Sequence, residues 1–130
     1  EFVDVYPTLA AVCKLKEPGG VEGISLMPLI KNPKRPWKKA AFSQYPRSTS
    51  GNRHRKQGDF MGYAIRTDNY RYIEWRNVKT RLVQARELYD HQADPQEMKN
   101  LAGLPNQTAK LKELELLLKG GWQKALPANH

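Results

Sequence analysis

The sequence predicts an α+β protein: a small antiparallel sheet of three to four strands packed against a C-terminal helix, preceded by a helix and an extended segment belonging to something larger. Three features carry this reading. The stretch "MGYAIRTDNYRYIEW", from Met61 to Trp75, sets two alternating apolar runs back to back around Asp68-Asn69, the pattern of a β-hairpin. Leu111, Leu114, Leu117 and Leu118 fall at helical spacing near the C-terminus. Phe2, Tyr6, Leu9, Ala10 and Cys13 form another such stripe, with no cap or polar lead-in before it.

Taken in order, "EFVDVYPTLAAVCKL" is an amphipathic helix that packs on something upstream, and Pro7 suits its first turn. This stripe implies that its supporting partner lies outside the chain, so that the sequence is the later part of a larger protein. "EPGGVEGISLMPLIKNPKRPWKK" is a Pro- and Gly-rich connection with at most a short helical turn around Ser25 to Ile30. "AAFSQYP" is a short strand closed by Pro46, and "RSTSGNRHRKQGD" is a polar, basic loop. The hairpin follows, with Met61, Tyr63, Ile65 and Thr67 on one face and Gly62, Ala64 and Arg66 on the other; Tyr70 to Arg76 returns, and Ala85 to Asp90 adds a strand. In "DPQE", Asp94 can cap, Pro95 fits the first helical position and Glu97 sits where a capping box places it, which predicts that a short turn starts there. The final helix spans Gln107 to Lys119, with Glu115 and Lys119 paired four apart and Gly120-Gly121 ending it. The division predicted is residues 1–39 as the tail of a larger domain with its linker, and 40–130 as a C-terminal subdomain.

A chain of 130 residues suits one modest core. With 22 Lys and Arg against 13 Asp and Glu, its formal charge of +9 favours acidic partners: nucleic acid, anionic surfaces, or sulfated and phosphorylated substrates. Cys13 has no intrachain partner for a disulfide and reads as a small buried residue. His54, His91 and His130 are too scattered to suggest a metal-binding face. No apolar run approaches the roughly 18 residues of a membrane span, and no signal-peptide pattern is visible.

Several phrases together resemble the sulfatase family. "DVYPTLAAVCKL" followed by "VEGISLMPLI" is similar to a helix carrying Pro-Thr-Leu that leads into a Gly-x-Ser-Leu-x-Pro-Leu turn. "YAIRTDNYRYIEW" resembles the family's C-terminal hairpin, and "ELYDHQADPQEMKNLA" its Leu-Tyr-Asp, Asp-Pro-x-Glu and Asn-Leu ending. "SQYPR" ahead of "MGYAIRT" is similar to the iduronate-2-sulfatase branch in particular. The resemblance runs from Phe2 to about Gly103 and implies that the absent domain is an alkaline-phosphatase-like α/β domain. It also implies an intact enzyme that hydrolyses sulfate esters, such as iduronate 2-sulfate in glycosaminoglycans, with calcium and a formylglycine. The family places such enzymes in periplasmic, secreted or lysosomal compartments. The formylglycine motif, Cys-x-Pro-x-Arg or Ser-x-Pro-x-Arg, does not occur in this sequence, and Cys13 is followed by Lys14-Leu15-Lys16-Glu17. No catalytic residue, metal ligand or cofactor is therefore assigned to this chain. Its expected partners are the catalytic portion of the same enzyme and a sulfated saccharide.

The candidate substrate-binding residues are Tyr45, Arg47, Arg53, His54, Arg55 and Arg66. Arg47, Arg53, His54, Arg55 and Lys56 form the basic loop, which reads either as a solvated surface or as a clamp whose guanidinium forks match sulfate and carboxylate groups. Arg66 points away from the Tyr63/Ile65 face, and its first reading is an ion pair with a carboxylate across a domain junction. Trp37, Trp75 and Trp122 read as core or interface anchors rather than sugar platforms. A non-enzymatic polyanion-binding module is the other function class. Against a single-strand nucleic-acid binder, the hairpin lacks the RNA-recognition signature, and Glu74, Glu87 and Asp90 interrupt its basic patch.

Overall fold

The computed structural model describes residues 1–48 and 59–128. The chain divides into two compact units, Glu1–Lys38 with the chain end from Leu126, and Lys39–Ala125.

The first unit holds a single 3-10 turn (Phe2–Asp4), helix α1 (Val5–Val12) and helix α2 (Met27–Lys31). Pro7 falls in the first turn of α1, where its missing N–H leaves no intrahelical bond unmade. What joins the two helices is a polar clamp. Asp4, 1% exposed, accepts the Ile24 N–H at 2.9 Å and the Lys38 ammonium at 2.8 Å. Thr8 Oγ1 donates to the Asp4 carbonyl and accepts the Leu26 N–H at 2.9 Å. The chain passes so close at Gly23 that a Cβ there would lie 2.0 Å from the Val3 carbonyl oxygen. Asp4, Thr8 and Gly23 are thus set by mutual approach of two segments about twenty residues apart. The stripe of α1 faces outward, with Phe2, Tyr6 and Leu9 at 93%, 55% and 58% exposure. Cys13 is exposed as well, contrary to the buried position read from sequence. It caps the end of α1, beyond the buried Asp4 and Pro7 side of the turn.

The second unit is a four-stranded antiparallel sheet in the order β1-β2-β3-β4: β1 (Ala41–Arg47), β2 (Phe60–Arg66), β3 (Tyr70–Asn77) and β4 (Val83–Asp90). Register sets Phe42 opposite Ile65, Ile65 opposite Tyr72, and Tyr72 opposite Leu88. One row of apolar side chains therefore crosses all four strands. Helix α3 (Thr108–Ala125) covers that row with Leu114, and Leu111, Leu117 and Leu118 pack around it. Each such burial is worth roughly 1.5–3 kcal/mol, so this row and the helix stripe define the core. The leucine-striped helix breaks at Gly121, at φ 75°, as Gly120-Gly121 predicts, and a further helical segment follows it to Ala125. Pro46, by contrast, lies inside β1, paired with Met61, because an edge strand can turn a missing N–H outward.

The turn between β2 and β3 closes through the Thr67 N–H on the Tyr70 carbonyl at 2.9 Å and the Tyr70 N–H on Thr67 Oγ1 at 3.0 Å. The outer edge of β4 is covered by Asn100-Leu101: Asn100 accepts the Leu88 N–H and donates to the Arg86 carbonyl, while the Leu101 N–H reaches the Leu88 carbonyl. A hydrogen-bonded turn starts at Asp94, whose carbonyl accepts the Glu97 N–H at 3.1 Å, but it does not extend into a helix. Glu97 takes a left-handed φ of 56°, which ends helical propagation; its carboxylate binds His91 and Arg71 instead of returning to a cap. Asp94 accepts the Lys99 N–H at 2.8 Å.

Candidate functional site

Strand alternation gives the sheet two chemically different faces. On the α3 side, beyond the apolar row, lies a buried carboxylate, Glu74, with no exposed surface. It accepts the Tyr72 hydroxyl at 2.8 Å and the Arg76 guanidinium at 2.9 and 2.5 Å. Arg86 stands 4.0 Å from Glu74, donates to the Tyr72 hydroxyl at 3.2 Å, and lies 3.8 Å from Glu115 of α3. Burial, reinforced by the adjacent Glu74 carboxylate, pushes the Tyr72 hydroxyl well above the usual tyrosine range. This network locks strand order and helix position; every charged group in it has a protein partner.

The opposite face carries Tyr45 and Arg47 of β1, Gly62 and Arg66 of β2, Arg71 and Trp75 of β3, and Glu87 and Tyr89 of β4. Trp75 lies flat over Gly62, where a Cβ would come within 2.7 Å of the indole. Its ring N–H donates to Glu87 Oε1 at 2.7 Å, and Tyr89 donates to the other Glu87 oxygen at 2.9 Å. The Arg47 guanidinium stands over the indole, 5.5 Å from its centroid. Farther along, Arg71 lies over the Tyr89 ring and pairs with Glu97 at 2.9 Å, and Glu97 holds His91 at 2.6 Å. Burial and the Glu87 carboxylate raise the Tyr89 hydroxyl above its ordinary range. Arg47, Ser48, Phe60, Trp75, Gln84, Ala85 and Glu87 surround a groove of about 500 Å³.

The sequence-derived candidates separate on this frame. Arg47 stands at the groove. Tyr45, 70% exposed, sits two residues away on the same face and edge strand. Arg66 lies at the other end of β2, about 20 Å from the Arg47 pairing position by strand rise. Its guanidinium donates to the carbonyls of Thr67 and Tyr70, so among the described residues it holds the hairpin turn and pairs with no carboxylate. Arg53, His54, Arg55 and Lys56 lie outside the described residues. Sequence reading did not pick out Trp75, Gln84 and Glu87 as groove residues. The one signal pointing there was Gly62, an isolated glycine in a strand pattern, which marks close approach of another group.

Among the described residues no group of three or more His, Cys, Asp or Glu is arranged to hold a metal ion. No described helix is long and apolar enough to cross a membrane.

A four-stranded antiparallel sheet backed by a C-terminal helix, with a helix-and-turn segment ahead of it, is the architecture of a sulfatase C-terminal region. The chain belongs to the family of N-sulphoglucosamine sulphohydrolase C-terminal domains, which it matches over residues 1–123. It is 35% identical over 122 residues to the N-acetylglucosamine-6-O-sulfatase of Bacteroides thetaiotaomicron, covering 89% of this chain and 20% of that protein. Arylsulfatase K of Xenopus laevis is 26% identical over 102 residues, covering 78% of this chain and 18% of that protein. Among solved structures, one of a protein in complex with its substrate D-glucosamine-2-N,6-O-disulfate superposes with a TM-score of 0.72 at 30% identity, over 90% of this chain and 22% of that one. The chain thus spans about a fifth of the length of the relatives it matches.

Proposed function

We propose that this chain is the C-terminal part of an enzyme that hydrolyses sulfate esters of an acidic saccharide, and that its own share of the work is to hold the fold and shape the rim of the substrate pocket. The family match over residues 1–123 is the observation that carries this reading. The bond-breaking groups belong to the rest of the intact enzyme: the formylglycine and calcium implied by the family resemblance find no nucleophile motif in this sequence and no metal-holding cluster among the described residues. There the formylglycine residue would supply the nucleophile and a bound calcium would neutralise sulfate charge. This chain contributes cations. Arg47, with Arg53, His54 and Arg55, would recognise the acidic groups of the saccharide, Tyr45 would flank them, and Arg66 would keep the hairpin turn in place. Such an enzyme would work in a periplasmic, secreted or lysosomal compartment.

For the sugar, the phrases "SQYPR" and "MGYAIRT" favour iduronate 2-sulfate in glycosaminoglycans. The 35% identity to an N-acetylglucosamine-6-O-sulfatase favours a second reading, a 6-sulfated glucosamine. The test is turnover by the full-length protein of glycosaminoglycan disaccharides carrying either a 2-sulfated uronate or a 6-sulfated glucosamine. Release of sulfate from the first alone supports the iduronate reading, and from the second alone the glucosamine reading. Release from neither, with retained binding of sulfated polymer, would replace both with a non-enzymatic polyanion-binding module.

A further inference from the structure

The groove beside Trp75 has the composition of a sugar-binding surface. Its floor is an aromatic plate fixed on two sides, by Gly62 beneath the indole and by Glu87 at the indole N–H. Its rim carries one cation, Arg47, one carboxylate, Glu87, and one exposed amide, Gln84. The volume, about 500 Å³, lies within the range of small-molecule sites, which combine apolar lining with a few convergent polar groups. Arg47 sits on the exposed edge strand, and among the described residues its partner is the indole itself, so its donors remain available to an anion. Both Glu87 oxygens already accept one hydrogen bond, yet each keeps a lone pair for a hydroxyl donor.

We propose that the groove formed by Arg47, Phe60, Trp75, Gln84 and Glu87 is a subsite for one ring of an acidic saccharide. The apolar face of the sugar packs against the part of the Trp75 indole beside the Arg47 guanidinium, its carboxylate or sulfate is taken by the Arg47 fork, and its hydroxyls bond to Gln84 and Glu87. The carboxylate beside the cation argues against a ligand that presents anionic charge alone, such as a phosphodiester backbone. A pyranose supplies what this groove lacks: an apolar face, hydroxyl donors and a single acidic substituent. Glu87 also acts as a positioning residue, because it fixes the plane of the indole. The assignment rests on the saccharide reading above and extends it to residues that the reading did not include.

The test is calorimetric binding to the full-length protein of three probes: a sulfated heparin-derived tetrasaccharide, its desulfated counterpart and neutral cellotetraose. Arg47→Gln and Trp75→Leu are the variants, with thermal melting as a check on folding. Each variant is expected to bind the sulfated probe about tenfold more weakly, the scale of one charge-assisted hydrogen bond or one lost stacking surface. Retained binding of the desulfated probe by the unaltered protein assigns Arg47 to a carboxylate; its loss assigns Arg47 to a sulfate. If Trp75→Leu fails to fold, Arg47→Gln decides, since that side chain is exposed. Affinities within twofold of the unaltered protein in the folded variants, or equal binding of cellotetraose, would overturn the subsite. Sulfate release with unchanged binding in the variants sinks the subsite and leaves the sulfatase reading intact. Variant-sensitive binding without sulfate release does the reverse.

Discussion

Replacing Glu74 by Gln tests how the sheet unit holds its buried charge. The amide keeps the shape of the side chain and an acceptor for the Tyr72 hydroxyl, now 2.8 Å from Glu74 Oε1, but it removes the negative charge that faces Arg76 and Arg86. Losing one partner of a buried ion pair costs about 3–5 kcal/mol, because the other charge stays behind uncompensated. Arg76 and Arg86 are 31% and 38% exposed, so water recovers part of this and the lower end, about 3 kcal/mol, applies. For a unit of this size, roughly 4–8 °C of melting temperature goes with each kcal/mol, which makes the expected drop about 12–24 °C. Differential scanning calorimetry at neutral pH measures it. A loss below about 0.5 kcal/mol, the range of ordinary surface substitutions, would refute the argument that Glu74 is the counterion of both arginines. Replacing Glu74, Arg76 and Arg86 together by apolar residues of matching volume should cost far less than the single change, since no charge is then left unpaired.

Other expectations concern the first unit. Burial alone would raise the Asp4 carboxyl, but the hydrogen bonds from Lys38 and the Ile24 N–H outweigh it and leave it below its ordinary value of 3.8. A carboxyl held low in the folded state stabilises above its unfolded value, and the stabilisation disappears as pH falls through the folded value. Acid titration followed by circular dichroism should therefore show a loss below about pH 4 that Asp4→Asn removes. Lys38 is shifted upward by its bonds to Asp4 and Glu1 against the effect of burial, so its contribution holds below its ordinary value of 10.5 and fades above the folded one. Gly23→Ala should cost at least about 1–3 kcal/mol in chemical denaturation, because the new methyl meets backbone, whereas Gly103→Ala, which meets nothing within 4 Å, should change stability little. The exposed Phe2, Tyr6 and Leu9 stripe should make the isolated chain self-associate with rising concentration in sedimentation, and Leu9→Glu should suppress it.

By itself the sequence determined the elements whose signals are local. Alternation in "MGYAIRTDNYRYIEW" specified the hairpin and its turn, the leucine spacing specified the covering helix, and together they specified the class of fold, because a strand or helix face with that period has few ways to be buried. The phrases running from Phe2 to about Gly103 pointed to the sulfatase family, to which the chain proved to belong. Tertiary structure alone decided the partners of the charges. Arg76 and Arg86 hold the buried Glu74, while Arg66 binds carbonyls of its own turn. The turn at Asp94 formed, but the Glu97 half of its capping box did not, because Glu97 found His91, close in sequence, and Arg71, brought near by the pairing of β3 with β4. The groove was hidden for the same reason: Trp75 meets Gly62, Arg47 and Glu87 only across strands, and cross-strand register depends on pairings that no local pattern encodes.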